Sequence, residues 1–312
     1  MSSVLHPDLP SFIAFGEALT DLIRTGDDSW RTVSGGAPWN VAMAMSRLGE
    51  LSAFAGGISR DLFGQAIWQA SADACLDLRF IQQFDRAPLL AVVHELNPPR
   101  YFFIGDDSAD LHFAPEGLPS GWRRALRCAH FGGISLARQP LAERLVLLAA
   151  QLKAEGKLIS YDPNFRQTMD SRYDDTLEQM CRLADVIKVS DEDLRGLFRC
   201  GDHHTGVAQI SAWNPGALLL LTRGAEGGTL FHGSVELSAR PPEIELVDSI
   251  GAGDASMAGL LYSLLRHKHA EPAQHLRFAL AAGAGACMTA GASPPSLPLV
   301  QTLAAGVQLL AP

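Results

Sequence analysis

Cysteines are few in this 312-residue chain, and no long apolar run occurs. The five cysteines lie far apart and form no C-x-x-C pair, at Cys75, Cys128, Cys181, Cys200 and Cys287. Such spacing suits neither a disulfide framework nor a zinc site. The longest apolar stretch, residues 278–288, is too short to cross a bilayer, and the N-terminus lacks the charged and apolar regions of a secretory signal. We therefore expect a cytoplasmic protein with no membrane partner.

Basic residues are outnumbered by acidic ones. Lysines and arginines number 25 against 34 aspartates and glutamates, which gives a formal net charge of −9, and no basic run occurs. Because nucleic-acid backbones are bound by clustered lysine and arginine, nucleic acid is not an expected partner. The hydrophobic share of 47% and the charged share of 19% indicate an ordinary globular protein rather than a disordered one.

Several common motifs are also missing. The sequence contains no G-x-x-x-x-G-K-[ST], no G-x-G-x-x-G after a strand and no G-x-S-x-G. These absences exclude a Walker-type phosphate loop, a dinucleotide fingerprint and a nucleophile elbow. The histidine pairs in 203–204 and 267–269 have no partners at metal-ligand spacing, so we interpret them as parts of solvated turns or helix ends.

Short apolar segments alternate with helical patterns along most of the chain. Strands are predicted over Ser11–Phe15, Leu51–Ala55, Cys128–Phe131, Lys157–Tyr161, Asp185–Val189 and Ala217–Leu221. Helices are predicted over Pro38–Leu48, Leu62–Ala74, Leu141–Glu155, Thr176–Leu183, Ala252–Arg266 and Pro272–Thr289. This alternation predicts βαβ units in one α/β domain over 1–312, with a mostly parallel sheet covered by helices on both faces. Ligands normally bind where the strands of such a sheet end.

Two inserted segments, about 18–33 and 89–113, break this alternation. Apolar residues alternate within 18–33 and 89–103, which is typical of strands. Pro98 and Pro99 exclude a continuous strand and favour a hairpin with a longer loop. We interpret the two segments as a small β insertion, and leave open whether it is a lid, an extension of the sheet edge or a dimer contact.

The segment Asp248–Asp254 combines small residues with an acid at the start of a long helical pattern. Gly251, Ala252 and Gly253 allow backbone N–H groups to approach a ligand closely. The positive end of a helix adds to these donors, so the turn can bind an anion or the charge on a transferring phosphoryl group. Asp254 is suited to accept a proton from a hydroxyl. The alternative is an ordinary N-terminal turn with a capping acid.

Three other loops carry polar or small residues. In Ser34–Asn40, Gly35 and Gly36 permit close approach and the amide of Asn40 suits a neutral polyol, unless it bonds only to neighbouring backbone. In Asp162–Arg166, Arg166 follows a strand and suits a phosphate or carboxylate, or else lies on a surface turn. The loop Leu221–Gly228 follows another strand and either covers a nucleotide or forms a hairpin.

Together these segments resemble the ribokinase-like (PfkB) family of carbohydrate kinases over nearly the whole chain. Gly16–Asp21 resembles the family's opening strand motif, Gly35–Asn40 its N-terminal substrate motif, and Asp248–Asp254 its D-[ST]-x-G-A-G-D motif. The resemblance implies a ribokinase-like three-layer α/β/α fold with a small β lid. It implies that Asp254 is the catalytic base and that the amides of Gly251, Ala252 and Gly253 form an anion hole. By the same likeness the sugar is bound by Asp21, Gly35, Gly36 and Asn40, and the chemistry of Arg166 adds it to the predicted substrate-binding residues.

The resemblance also implies ATP as phosphate donor, with Mg²⁺ and often K⁺. The residues it places beside the nucleotide are Thr222, Gly224, Gly227 and Ser190. Those it assigns to metal ions are Asp193 for Mg²⁺, and Asp248, Ile250, Ala286 and Gly291 for a monovalent cation. The family often carries N-x-x-E where this chain has Ser190 to Asp193, a change that we interpret as an adjusted metal site. Trp39 is larger than the residue usual there, so we expect it to narrow the sugar site or stack against the sugar.

Within the family, the motifs Gly16–Asp21 and Gly35–Asn40 look most like those of fructokinases. We therefore expect transfer of the γ-phosphate of ATP to a primary hydroxyl of a free sugar, with fructose as the first candidate. The expected partners are the sugar, ATP and a second copy of the chain bound through the lid. Two alternatives stay open: a kinase for 2-keto-3-deoxygluconate or a riboside, and a non-catalytic regulator that binds a sugar or a nucleotide.

Overall fold

The structure, a computed structural model, describes residues 8–96 and 99–311. Its strands are β1 (Phe12–Phe15), β2 (Leu19–Arg24), β3 (Trp30–Gly35), β4 (Ser52–Ser59), β5 (Ile81–Phe84), β6 (Leu90–Leu96), β7 (Pro99–Ile104), β8 (Cys128–Gly132), β9 (Leu158–Asp162), β10 (Val186–Ser190), β11 (Leu218–Thr222), β12 (Gly228–His232), β13 (Val235–Arg240) and β14 (Gln308–Leu309). Its helices are α1 (Ala37–Arg47), α2 (Leu62–Asp73), α3 (Trp122–Ala125), α4 (Leu141–Ala154), α5 (Asp174–Leu183), α6 (Asp191–Leu197), α7 (His203–Trp213), α8 (Ala252–Arg266), α9 (Pro272–Ala286) and α10 (Leu297–Ala304). None of these helices is long and apolar enough to cross a membrane.

A ten-stranded sheet forms the centre of the protein, in the order β14-β13-β12-β11-β10-β9-β8-β1-β4-β5. Seven of its strands, β11, β10, β9, β8, β1, β4 and β5, are parallel, and β12, β13 and β14 add an antiparallel edge. Each of the six predicted strands is present. The largest shift is in β4, which continues to Ser59 because its second half pairs with β5, from Gly56 opposite Ile81 onwards. The predicted mostly parallel α/β sheet is confirmed.

Helices cover both faces of this sheet because successive strand residues point to opposite sides. Ile13 and Phe15 of β1 belong to a core shared with α4 and α5. Phe12 and Ala14 belong to a second core shared with α1, α8 and α9. The protein therefore has three layers, as the family resemblance implied. Every second residue of a central strand faces the layer that contains α1 and α8.

A second sheet of four strands, ordered β3-β2-β6-β7, is formed by the two inserted segments. The hairpin of β6 and β7 pairs Leu96 directly with Pro99, so the expectation of a longer loop is wrong. Pro99 is the first residue of an edge strand, a position at which proline is tolerated in sheets. The turn itself, with Pro98, lies outside the described residues.

Several elements were missing from the prediction, among them α6, α7, α10, β12 and β13. Helix α7 has a mixed polar and apolar surface, with only Gly206 and Ile210 buried, which explains its weak helical pattern. Helix α9 ends at Ala286 rather than at Thr289, because Cys287 begins a turn whose carbonyl accepts the N–H groups of Val247 and Asp248. Helix α6 follows the parallel strand β10 directly, and its first residues line the cavity described below.

Candidate active site

The start of helix α8 is a turn that requires glycine. Gly251 precedes the helix with a φ of 78°, and a Cβ added there would lie 2.9 Å from Cβ of Ala292. The amide of Ala252 closes the turn by donating to the carbonyl of Ser249, over 3.2 Å. The helix that follows extends to Arg266, so its positive end lies at Gly251–Gly253. The turn thus has the small residues and the helix field that an anion hole needs.

Asp254 lies in the first turn of α8 and is 7% exposed. Its Oδ2 accepts a 2.8 Å hydrogen bond from Nδ2 of Asn40, which lies in α1. Burial raises the pKa of Asp254 to about 7, partly opposed by the hydrogen bond from Asn40. A carboxylate with a pKa near neutrality is suited to accept a proton from an alcohol. The alternative in which Asn40 bonds only to neighbouring backbone is wrong.

The predicted sugar-binding residues are close to one another. Oδ2 of Asp21 would lie 2.7 Å from a Cβ added to Gly35, so this glycine leaves room for the carboxylate. Gly36 has a φ of 116°, and a Cβ there would lie 2.6 Å from the carbonyl oxygen of Glu17. Burial raises the pKa of Asp21 to about 6, and the charge of Arg166 opposes that rise. Gly36 is therefore required by its backbone conformation, while Gly35 leaves room for the Asp21 side chain.

Two buried oxygens in this region have no hydrogen-bond partner among the described residues: Oδ1 of Asn40 and Oγ1 of Thr20. Buried polar atoms are normally hydrogen-bonded, so Oδ1 of Asn40, on the amide that contacts Asp254, indicates where a polar ligand would bind. Thr20 precedes Asp21 on β2, and strand alternation points its side chain to the opposite face of the smaller sheet.

Arg166 lies in the loop after β9 and is half-buried. Its Nη1 donates to the carbonyl of Asn164 over 2.9 Å and to Oδ1 of the same residue over 2.6 Å. The guanidinium also lies 5.9 Å from the ring centre of Tyr101, on strand β7 of the smaller sheet. Arg166 is therefore held between the main domain and the inserted sheet, not on a surface turn.

Ser190 and Asp193 form a reciprocal cap at the start of α6. Oγ of Ser190 accepts the N–H of Asp193 over 2.9 Å, and Oδ2 of Asp193 accepts the N–H of Ser190 over 2.7 Å. Oδ1 of Asp193 accepts the N–H of Phe165 over 2.8 Å. Both side chains thus hold local backbone, while a lysine that the sequence analysis did not select, Lys188, lies 3.9 Å from Oδ2 of Asp193.

A cavity of about 1760 Å³ lies between the loop after β9, the start of α6 and the start of α8; Asp21, Asn40 and Asp254 are not among the described residues that line it. It is lined by Thr222, Gly224 and Gly227 on the turn between β11 and β12, and by Gly253 at the start of α8. The 221–228 loop is therefore both a hairpin and a wall of the cavity. Pockets for single small ligands measure about 300–1,000 Å³, so this cavity has room for two ligands.

The residues predicted to hold a monovalent cation fall into one cluster. Oδ1 of Asp248 accepts the N–H of Ile250 over 3.0 Å, and Oδ2 accepts the N–H of Gly291 over 2.8 Å. Ala286 ends helix α9 next to Cys287, whose carbonyl accepts the N–H of Asp248. Asp193 lies instead beside Lys188 and the start of α6, so the predicted metal residues belong to two separate clusters.

Sequence comparison identifies the family. The sequence pattern of the pfkB family of carbohydrate kinases matches residues 10–299. The chain belongs to that family. It is 34% identical over 262 residues to the fructokinase of Klebsiella pneumoniae, which covers 81% of this chain and 83% of that protein.

Two solved structures share the fold of this PfkB chain closely. The fructokinase of Xylella fastidiosa with bound ATP superposes with a TM-score of 0.85 at 28% identity, over 95% of this chain and 98% of that one. The fructokinase of Vibrio cholerae O395, bound to fructose, ADP and calcium, superposes with a TM-score of 0.81 at 28% identity, over 94% and 98%. These similarities confirm the ribokinase-like three-layer fold.

Two further expectations about this PfkB chain are wrong. Trp39 is 4% exposed, and its Nε1 donates to Oγ of Ser71 over 2.8 Å, so it packs between α1 and α2 instead of facing a sugar. The reason is helical geometry, since adjacent residues of α1 point about 100° apart. His203 and His204 do lie at a helix end, but with Asp202 they bring three ligand atoms within 4.8 Å of one another.

Proposed function

We propose that this PfkB kinase transfers the γ-phosphate of ATP to a primary hydroxyl of a free sugar, and that the sugar is fructose. The observation that carries the proposal is the hydrogen bond between Asn40 and Asp254. It joins the substrate motif of α1 to the acid that begins α8, beside a cavity with room for two ligands. The fructokinase similarity of the whole chain supports fructose as the acceptor.

On the sugar side, Asp21, Asn40 and Arg166 would bind the hydroxyl groups. A neutral alcohol is a poor nucleophile near pH 7, so a positioned base accelerates its attack. Asp254 would take the proton of the reacting hydroxyl as the new oxygen–phosphorus bond forms and the bond to ADP breaks. With a pKa near 7, a substantial fraction of Asp254 is ionised and ready at neutral pH.

On the phosphate side, the turn Gly251–Gly253 would stabilise negative charge on the transferring group. Thr222, Gly224, Gly227 and Ser190 would lie beside the nucleotide, whose cavity they line. The aligned carbonyl and amide dipoles of α8 act in the same direction, because the turn lies at the helix's positive end. Catalysis by such a site comes mainly from positioning and electrostatic stabilisation.

Metal ions would complete the charge balance. When bound with ATP, Mg²⁺ neutralises phosphate charge. Asp193 fits it as an acceptor, because each of its oxygens receives one backbone N–H and retains a further lone pair. For K⁺, the cluster of Asp248, Ile250, Ala286 and Gly291 would offer the carboxylate of Asp248, which is held by the N–H groups of Ile250 and Gly291.

The inserted sheet is proposed to be a lid. Support comes from Tyr101 on β7, which lines the cavity and contacts Arg166. The same sheet exposes Trp30, Phe102 and Ile104, which supports a homodimer contact through it. Sedimentation velocity tests the dimer: a concentration-independent monomer contradicts it. A cytoplasmic location also stays a prediction.

The test is a coupled ADP-release assay with fructose, 2-keto-3-deoxygluconate and a riboside as acceptors. We expect the highest kcat/KM with fructose, and a kcat at least about 100-fold lower for the Asp254→Asn variant. A preference for another acceptor would reassign the substrate within the family. Sugar binding without turnover of any acceptor would support the non-catalytic alternative.

A further inference from the structure

Lys188 is a charged residue in the middle of a buried, central strand. Its neighbours on β10, Ile187 and Val189, lie in the core on the α4 and α5 side of the sheet. Lys188 therefore points to the opposite side, towards α1 and α8, where its side chain is 5% exposed. Burying an ammonium is costly unless opposite charges compensate, so a lysine here needs a local explanation.

Two carboxylates hold the ammonium in place. Nζ of Lys188 lies 3.0 Å from Oδ2 of Asp162 and 3.9 Å from Oδ2 of Asp193. Asp162 ends strand β9, and Asp193 is fixed in turn by the α6 cap and by the N–H of Phe165. These contacts give the ammonium a defined position.

The same ammonium lies directly against the phosphoryl-binding turn. A Cβ added to Gly253 would lie 2.9 Å from Nζ of Lys188 and 3.5 Å from its Cε. Gly253 and Lys188 both line the large cavity. The absence of a side chain at Gly253 is therefore what allows a buried cation to lie next to the turn.

Several elements place polar or charged groups around Asp254 and Lys188. The groups that act on Asp254 are Asn40 from α1, Asp162 from β9, Lys188 from β10 and Arg166 from the loop after β9. Burial lowers the pKa of Lys188, but nearby carboxylates outweigh burial and raise it above its ordinary value, so it stays protonated. His130 of β8 is neutral, because burial and the charge of Lys188 lower its pKa to about 3.

We propose that Lys188 is a positioning residue for phosphoryl transfer. Anchored by Asp162 and Asp193, its ammonium sets a fixed positive charge beneath the start of α8, where the base and the phosphoryl-binding turn meet. This charge favours the ionised form of the base and negative charge on the transferring group. The inference rests on the proposed function, and it assigns a role to a lysine outside the three recognised motifs.

The first test compares Lys188→Met with Asp162→Asn. Lys188→Met removes the cation while keeping most of the side-chain length, and we expect kcat to fall about 100-fold with the KM for fructose within about threefold. The acid limb of kcat/KM should shift up by about one pH unit in this variant. Asp162→Asn removes a neighbouring negative charge, so its acid limb should shift down.

Opposite shifts distinguish an electrostatic role from a structural one. A merely structural contact would lower the melting temperature in both variants without moving the acid limb in opposite directions, and that result would overturn the proposal. Lys188→Met leaves Asp162 unpaired and is at risk of misfolding. The double variant Lys188→Met/Asp162→Asn removes both charges. We expect it to melt like the wild type and still show the reduced kcat, whereas recovery of wild-type kcat would contradict the proposal.

A measurement without turnover separates this proposal from the function on which it rests. The carboxyl carbon of Asp254 is titrated by ¹³C NMR and assigned by its loss in Asp254→Asn. We expect its midpoint to be higher in Lys188→Met than in the wild type. If the wild type phosphorylates no sugar but the midpoint moves, the proposed function fails and the charge coupling stands. An unchanged midpoint overturns the role of Lys188 even in an active enzyme.

Discussion

Asn40 and Asp254 are 214 positions apart in the sequence, yet Nδ2 of the first donates a 2.8 Å hydrogen bond to Oδ2 of the second. The bond exists because α1 and α8 pack against the same face of the central sheet, in one shared core. It fixes the carboxylate and opposes part of the rise in its pKa caused by burial. The other amide atom, Oδ1 of Asn40, remains for a ligand.

Replacing Asp254 by Asn should abolish most turnover without preventing sugar binding. The amide keeps the shape of the side chain but does not accept the proton, so we expect kcat to fall by about 100-fold or more, within the range of general-base effects. Steady-state kinetics and fructose calorimetry measure the two effects. Glu143→Gln, on the exposed face of α4, is the matched control. Unchanged kcat in Asp254→Asn would remove the base assignment.

The same substitution should stabilise the protein at neutral and alkaline pH. The folded pKa of Asp254, about 7, exceeds its ordinary value of 3.8, so ionising this buried group destabilises the folded state as the pH rises through that interval. Asparagine has no such charge. We expect the melting temperature of Asp254→Asn to match the wild type near pH 4 and to exceed it at pH 8. A difference independent of pH would contradict the raised pKa.

Asn40→Ala should move the pH dependence of catalysis. The hydrogen bond from Asn40 stabilises the ionised carboxylate, so its loss raises the pKa of Asp254 further. We expect the acid limb of kcat/KM to shift to higher pH, with a greater loss of activity at pH 6 than at pH 8.5. Asn40→Asp serves as a second variant, in which a like charge should shift the limb further. A uniform loss at all pH values would indicate that Asn40 affects sugar binding alone.

Ser71→Ala should affect stability and leave the sugar site intact. Its hydroxyl accepts the buried indole N–H of Trp39, and an unsatisfied buried donor costs about 1–3 kcal/mol. We expect the free energy of unfolding to fall by about that amount in urea titrations, while the KM for fructose stays within about twofold. A large change in KM would place Trp39 in the sugar site after all.

Tyr101→Leu tests the contact between the inserted sheet and Arg166. The ring lies 5.9 Å from the guanidinium, and an exposed or partly exposed contact of this type contributes about 0.5–1 kcal/mol. We therefore expect the KM for fructose to rise about two- to fivefold. Tyr101→Phe keeps the aromatic face and should resemble the wild type. Equal effects of the two variants would indicate a role for the hydroxyl group instead.

Local sequence patterns were sufficient to predict the parallel strands, most of the helices and the glycine turn before Asp254. A strand such as Cys128–Gly132 or a turn such as Gly251–Gly253 depends on residues that are neighbours in the chain, so its pattern is visible in the sequence. Helix α7 and the hairpin of β12 and β13 were not predicted, because few of their residues are buried in a regular pattern.

The partners of the side chains were decided by packing between distant segments. Asn40 and Trp39 are neighbours in one sequence motif, but their side chains have different surroundings. Asn40 contacts the carboxylate of Asp254, whereas Trp39 packs in the core and donates to Ser71. In the sequence, Lys188 is a single lysine in an apolar strand and nothing marks it as functional. Only the tertiary structure places Asp162 and Gly253 next to it. A chain's composition and periodicity determine which elements form, but contacts across many positions depend on how those elements pack. The chemistry of this site therefore follows from the tertiary structure.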